Sequence, residues 1–317
     1  MNSKLIASIV VAVVIIASVS VIYAETNKTK AQPSSITVTD DLGRNVTISL
    51  PVKRVVSMDP SNTQMMYAIG AGNLLVADTS FDWWPSNSTS LPHVAMDSGV
   101  ASVEQVVNMT PDLVLATTIQ PAQIVDQLEN LSIPVLIFEP QNISNIYSDM
   151  LTLGNVTGHQ SGAKAEVNHM KTVIRGVENK IANYSKESLL YMMWPSPIYT
   201  AGPNSWIDSY LEAAGAVNIA QNLSEPWPVI GEEQVVNDNP QTIIVDNNTG
   251  VANITYFTSG NNSQMWSNIS AVKNYTLQHP TILILNVTES NWMNEPGPLA
   301  IYAVQMIAQF LYPQAFE

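Results

Sequence analysis

The sequence predicts an α/β protein of two lobes joined by one long helix. Short runs that are apolar on both faces alternate with helical patterns, first over residues 54–140 and again over 188–312. Strands of that kind belong to parallel sheets covered on both sides. Between the two series lies "HQSGAKAEVNHMKTVIRGVENKIANYS", without proline, in which Val167, Met170, Val173, Ile174, Val177 and Ile181 recur at helical spacing. The phrase "EQVVN" occurs twice, opening at Glu104 and at Glu233, each time just ahead of an apolar strand. A chain of 317 residues with 46% hydrophobic content has material for two cores of ordinary size.

The first element is "LIASIVVAVVIIASVSVIYA", which follows Lys4 and carries no charge. At about 1.5 Å per helical residue it is long enough to cross a bilayer core. The "IYA" before Glu25 also reads as a small-residue cleavage site. Residues 1–24 are therefore expected to be a removed signal peptide or a membrane anchor through residues 5–24, and either one exports the rest. Residues 25–35, "ETNKTKAQPSS", form a polar linker.

The N-terminal lobe, 36–158, opens with "ITVTDDLGRNVTISL", two alternating β runs around an Asp-Leu-Gly turn. "RVVSM" is a strand, and "SNTQMMYAIG" a helix capped by Ser and Asn and stopped by Gly70. "LLVAD", "DLVLATT" and "PVLIFEP" are further strands, with "VEQVVN" and "PAQIVDQLENL" as helices between them. The interlobe helix takes residues 159–185, and its basic stripe is a solvated face. The C-terminal lobe, 186–317, repeats the rhythm with "SLLYMMW", "SWIDSYLEAAG", "EEQVVN", "QTIIVDN", "TILILNV" and the terminal helix "LAIYAVQMIAQFLY".

Composition excludes several function classes. Cysteine is absent, which removes disulfides, thiolate metal sites and cysteine nucleophiles. Twelve basic residues face 26 acidic ones, and no Lys or Arg lies between Arg54 and Lys164. Neither lobe can build the basic face that a nucleic acid needs. Asn-x-Ser/Thr occurs fifteen times, against roughly five expected by chance, the pattern of an exported glycoprotein at the cell surface. Few cations and many neutral polar residues also suit an acidic exterior.

No phosphate loop, dinucleotide fingerprint or nucleophile elbow is present, and the four histidines lack ligand-like spacing. The expectation is no enzyme, no metal site and no cofactor. Binding residues are better represented. "FDWWPSN" places Phe81, Trp83 and Trp84 in a turn-rich loop, "SEPWPV" holds Trp227 between prolines, and "ESNWMNEPGP" puts Trp292 in the loop between the last strand and the last helix. Loops after strand ends are where α/β sheets bind ligands, and rigid rings there grip flat or apolar-edged molecules. Ser57, Met58 and Asp59 lie where the first helix begins, either as ordinary caps or as ligand contacts. Glu104 and Glu233 each sit in a first helical turn, where the helix dipole favours a carboxylate. One exposed glutamate per lobe also makes a pair of posts for basic sockets on a partner.

The segment "VTDDLGRNVTISLPVKRVVSMDPSNTQMMYAIGAG", followed in order by "VEQVVNMTPDLVLA", the long helix, "SWIDSYLEAAGAVNIA", "EPWPVIGEEQVV" and "ESNW", resembles the iron-chelate and cobalamin class of ABC-transporter substrate-binding proteins, nearest its cobalamin branch. The resemblance runs from about Ile36 to the C-terminus. It implies two Rossmann-like α/β lobes joined by a single rigid helix, a ligand cleft between the lobes, and no covalent chemistry. It also implies that Glu104 and Glu233 dock on arginines of a membrane permease, with an ATPase completing the importer. Trp227 matches a cobalamin-contacting tryptophan of that branch. Asn291 replaces an aspartate, a tryptophan is missing near Ser98, and Glu295 stands where an arginine is expected. With no Lys or Arg in the predicted cleft loops, a corrinoid or a neutral or cationic iron chelate fits better than a polyanionic one, and haem would take Tyr199, Met58 or a histidine as axial ligand. The alternative from another class is a structural or pilin-like surface filament assembled through the N-terminal apolar helix.

Overall fold

A computed structural model describes residues 34–86, 88–259 and 263–317, so the N-terminal apolar segment and most of the linker lie outside the described residues. The described chain opens with an antiparallel hairpin, β1 (Ser35–Thr39) and β2 (Asn45–Ser49). Val46 and Ile48 point inward while Asn45, Thr47 and Ser49 face out, the period-two pattern of a one-sided strand. Asp40 fixes the turn by accepting from the Leu42 and Arg44 amides and pairing with the Arg44 guanidinium at 2.6 Å.

The first lobe then runs β3 (Val55–Ser57), α1 (Pro60–Ala68), β4 (Leu75–Thr79), β5 (His93–Val94) and the small hairpin β6 (Met96–Asp97) and β7 (Val100–Ala101). It continues through α2 (Val103–Asn108), β8 (Leu113–Ala116), α3 (Ala122–Asn130), β9 (Val135–Ile137) and α4 (Ile143–Thr157). Its main sheet is parallel in the order β5-β4-β3-β8-β9. The strands β3, β8 and β9 are buried at every position, as expected for a sheet covered on both faces.

The interlobe helix α5 spans Gln160–Ile181. The sequence pattern did not predict α4, which precedes it and packs antiparallel-fashion as a helical hairpin closed by Gly158 at φ 79°. Close approach is built in at the start of α5, where a Cβ on Gly162 would sit 2.0 Å from the Ile69 carbonyl oxygen at the end of α1.

The second lobe follows as β10 (Glu187–Met192), β11 (Trp194–Pro195), β12 (Ile198–Tyr199), α6 (Trp206–Ala213), β13 (Ala216–Asn218), β14 (Val229–Ile230), α7 (Glu232–Asp238) and β15 (Thr242–Val245). Three single-turn helices, α8 (Thr255–Thr258), α9 (Ser263–Trp266) and α10 (Ser270–Lys273), lead to β16 (Ile282–Ile284), α11 (Val287–Asn294) and α12 (Ala300–Leu311). The main sheet is again parallel, in the order β13-β10-β15-β16, and β11, β12 and β14 form a separate antiparallel sheet. The expected loop around Trp292 is instead α11, started by a reciprocal capping box between Asn286 and Glu289.

The outer face of each main sheet has its own core: Val56, Val114 and Val135 in the first lobe, Leu190, Ile243 and Trp266 in the second. The inner faces share one. Leu113 and Leu136 of the first sheet, Met170, Ile174 and Val177 of α5, Ile307 of α12 and Leu189 and Tyr191 of the second sheet belong to a single buried cluster. The lobes are therefore packed together through the connecting helix as well as covalently linked by it.

Candidate functional site

The loops after the first sheet's strands face the second lobe, where Asn294 Nδ2 donates to Asp246 just after β15. A cavity of about 330 Å³ opens there, lined by residues that follow β3, β4, β8 and β9 in the first lobe and by Trp206, Asn294, Glu295 and Pro296 of the second. Most of its wall is apolar, including Met58, Phe81, Met96, Ile119 and Phe138. Its carboxyls are Asp59, Glu139 and Glu295, and no Lys, Arg or His is among the residues that line it.

Asp59 is the N-cap of α1. Its carboxylate accepts from the Ser61 amide at 2.9 Å, and Thr117 Oγ1 at the end of β8 donates to it at 3.3 Å. Burial, with the Asp82 charge adding, raises its pKa against these hydrogen bonds. Capping and cavity lining thus fall to one side chain. Ser57 is fully buried and spends its hydroxyl on the Asp59 carbonyl oxygen, 2.9 Å away, so it does not reach the cavity. Met58 lines the cavity while only 1% exposed, and Phe81 stands at the mouth, 59% exposed.

Glu295 crosses from the second lobe to the first. Trp83 Nε1 donates to both of its oxygens, at 2.9 and 2.8 Å, and Gln64 Nε2 of α1 also donates to it. Burial pushes the Glu295 carboxyl up to about 8, with Asp59 and Asp82 adding to the rise and the Trp83 and Gln64 hydrogen bonds opposing it. The Asn291 amide is best oriented with nitrogen toward Val287 O (3.2 Å), which brings its oxygen to 2.9 Å from Trp83 Nε1. Trp83, Asn291 and Glu295 therefore meet across the cleft.

The remaining candidates lie off the cavity wall. Trp227 packs edge-on against Trp206, ring centroids 4.6 Å apart, and Trp206 is the ring that faces the cavity. Trp206 is fixed further by its Nε1, which donates to Met293 O at 2.8 Å. Trp84 precedes the loop proline Pro85 and does not line the cavity. Tyr199 is 42% exposed on β12, in register with Trp194 and Val229. Trp292 turns toward Tyr302 of α12, at 5.4 Å between centroids.

Sequence reasoning passed over Trp206, Gln64 and Ile119. Trp206 opens a predicted helix, and its facing is set by Trp227 and Met293. Gln64 carries no local signal, since it closes the polar run Ser61-Asn62-Thr63-Gln64 at the start of α1.

Glu104 and Glu233 are exposed and lie in the first turns of α2 and α7, the helices that lead into the equivalent strands β8 and β15. Among the described residues no group of three or more His, Asp or Glu side chains could hold a metal ion, and no helix is long and apolar enough to cross a membrane.

A vitamin B12-binding protein of Yersinia pestis is 28% identical over 266 residues, 83% of this chain and 88% of that relative. An uncharacterized ABC transporter substrate-binding lipoprotein of Bacillus subtilis is 28% identical over 298 residues, 92% of this chain and 90% of its own length. The solved structure of the periplasmic vitamin B12 binding protein of Vibrio cholerae shares the fold with a TM-score of 0.68 at 21% identity, over 84% of this chain and 99% of that one. The family model described as periplasmic binding protein matches residues 55–278, well over half of the sequence. With that match and two lobes closing on one cavity, the chain belongs to the periplasmic binding protein family.

Proposed function

We propose that this chain is an extracytoplasmic solute-binding protein that captures a corrinoid or an iron chelate and delivers it to an ABC importer. One observation carries the reading: in a chain of this family, both lobes contribute to one largely apolar cavity at the C-terminal ends of the two sheets. Chelates wrapped in a macrocycle or in hydroxamate arms present apolar edges and amide groups, which suit a wall of rings, methionines and carboxyls. A corrinoid is larger than the cavity, so one edge would enter while the rest meets Phe81 and Ile119, 59% and 66% exposed at the mouth. The name of the Yersinia relative supports a corrinoid.

Glu104 and Glu233 are the proposed contacts with the permease. Each is an exposed carboxylate on an equivalent helix of one lobe, so the pair reports two lobes held in one arrangement. Residues 5–24 are the proposed tether, if they are retained. Among the described residues, every asparagine of an Asn-x-Ser/Thr sequence is exposed except Asn142, which is half-buried, and none lines the cavity. That distribution supports a glycosylated outer surface that leaves the cleft clear. The filament alternative draws no support from the fold or the relatives.

Titrating the purified protein with cobalamin, cobinamide, ferric hydroxamates and haem tests the ligand class. Saturable binding at micromolar or lower concentration of a corrinoid or a ferric chelate is expected. Failure of all four to bind at that level would contradict the reading.

A further inference from the structure

The cavity carries an unusual charge arrangement for a site that captures metal chelates. Asp59, Glu139 and Glu295 line it without a basic partner among its lining residues. Glu139 is occupied at its base, accepting from the Thr118 amide at 3.1 Å and hydroxyl at 2.6 Å, and Asp59 is held by its cap. Glu295 differs because its partners come from the opposite lobe. Beneath it Gln64 is only 1% exposed, and the Gln64 amide oxygen has no partner while its nitrogen donates to Glu295. Glu295 therefore has only uncharged donors around it, and burial leaves its charge uncompensated unless it holds a proton. A positive group in the cavity would replace that proton as the partner of the Glu295 oxygens.

We propose that Glu295 is the charge-selecting residue of the cleft, admitting cationic and neutral chelates and disfavouring anionic ones, with cation binding coupled to loss of its proton. The inference rests on the solute-binding reading above. The groups facing Glu295 are consistent with it: Asp59 at the start of α1 and Asp82 after β4 are both acidic, Gln64 and Trp83 are neutral donors, and Asn291 and Asn294 are the neighbours on its own side. Burial, with those acids adding, holds the Glu295 proton up to about pH 8, so at neutral pH there is a proton to release. A bound cation lowers that value, and affinity for the cation rises as pH increases toward it. A carboxylate ligand meets three acids and no counter-charge in the low-dielectric wall.

Two matched probe pairs separate charge from shape. One is a linear ferric trihydroxamate with a terminal ammonium, against the same chelate capped with a succinyl carboxylate. The other is cobinamide, against the polycarboxylate made by hydrolysing its side-chain amides. For whichever pair binds, isothermal titration at pH 7 should favour the cationic or amide form by at least about tenfold. The ammonium probe or cobinamide should release a proton, seen as a dependence of the heat on the ionisation enthalpy of the buffer. In Glu295→Gln the preference should fall below about threefold and the proton release should vanish. Equal wild-type affinity within a pair, or an unchanged preference and proton release in folded Glu295→Gln, would overturn the proposal alone. Failure of all four probes to bind wild-type protein would overturn the transport reading and this inference with it.

Discussion

The two lobes present the same phrase and secure it differently. In the first, α2 is capped by Ser102, whose hydroxyl accepts from the Gln105 amide at 3.4 Å, and Glu104 is its sole acidic residue in the first turn. In the second, α7 begins at Gly231 with no side-chain cap, and Glu232 and Glu233 stand together in its first turn. A hydroxyl satisfies an orphan amide directly, whereas two carboxylates favour the same helix end through its dipole. What the lobes have in common is one exposed glutamate ahead of an inner strand, β8 or β15. The helix end is thus stabilised differently in the two lobes while a carboxylate stands at the equivalent place in each, which the proposed docking role would explain and capping alone does not.

The largest expected effect comes from reversing both posts. Glu104→Arg combined with Glu233→Arg should abolish uptake by whole cells while the purified protein keeps its ligand affinity within about threefold. Uptake at the wild-type rate would remove the docking role and return both residues to helix-end electrostatics. The lobes also divide the cavity unequally, the second giving a single aromatic ring, Trp206. Trp206 is packed against Trp227 and bonded to Met293, so Trp206→Ala should cost about 2–3 kcal/mol of stability and weaken ligand binding together. Denaturant unfolding followed by titration checks both effects, and unchanged stability would show that the ring is only a ligand contact.

A third prediction concerns pH. Burial is the main reason that Asp78, Glu295 and Asp149 keep their protons up to about pH 6, 8 and 9, with the Asp41 charge and hydrogen bond adding at Asp149. In the unfolded chain carboxyls titrate near pH 4. Between those values the fold binds more protons than the unfolded chain, so stability falls as pH rises and the penalty disappears on returning toward pH 4. Self-repulsion from a net charge of −14 at pH 7 acts in the same direction. Thermal unfolding should give a midpoint near pH 4–5 at least about 5 °C above that at pH 9. A higher midpoint at pH 9 would refute this and the acid-exterior reading of the composition. The smallest effect is Ser102→Ala, which should cost about 0.5–1 kcal/mol in urea unfolding, with no counterpart to remove at Gly231.

Much of the fold was legible because its inner strands are apolar throughout or nearly so, as in LVLA of β8 and TIIV of β15, and because α5 repeats its buried residues over six turns. Helix α4 was hidden by its composition. "ISNIYSDMLTLGNVT" mixes Ser, Asn, Thr and Gly, poor helix formers, and its buried Asp149 interrupts an otherwise regular stripe of Ile143, Ile146, Met150 and Leu153. The β11-β12-β14 sheet was illegible because each strand has only two residues and β14 joins β12 across residues 200–228. At the site, Met58, Asp59 and Phe81 could be placed from their position after strand ends. Glu295 could be read only as a departure from a resemblance, since its partners Trp83 and Gln64 are 212 and 231 residues away. No local pattern encodes a contact of that separation.

The proposed function requires ligand to bind in the cavity shared by the two lobes. It is tested most directly by titrating cobinamide, or the ferric hydroxamate that binds best, into wild-type protein and into Phe81→Asp. Phe81 is 59% exposed at the mouth, so the substitution should leave stability within about 0.5 kcal/mol. One saturable site at micromolar or lower ligand is expected in the wild type, with at least about tenfold weaker binding in the variant. Equal affinity in the two proteins would place the ligand elsewhere and contradict it.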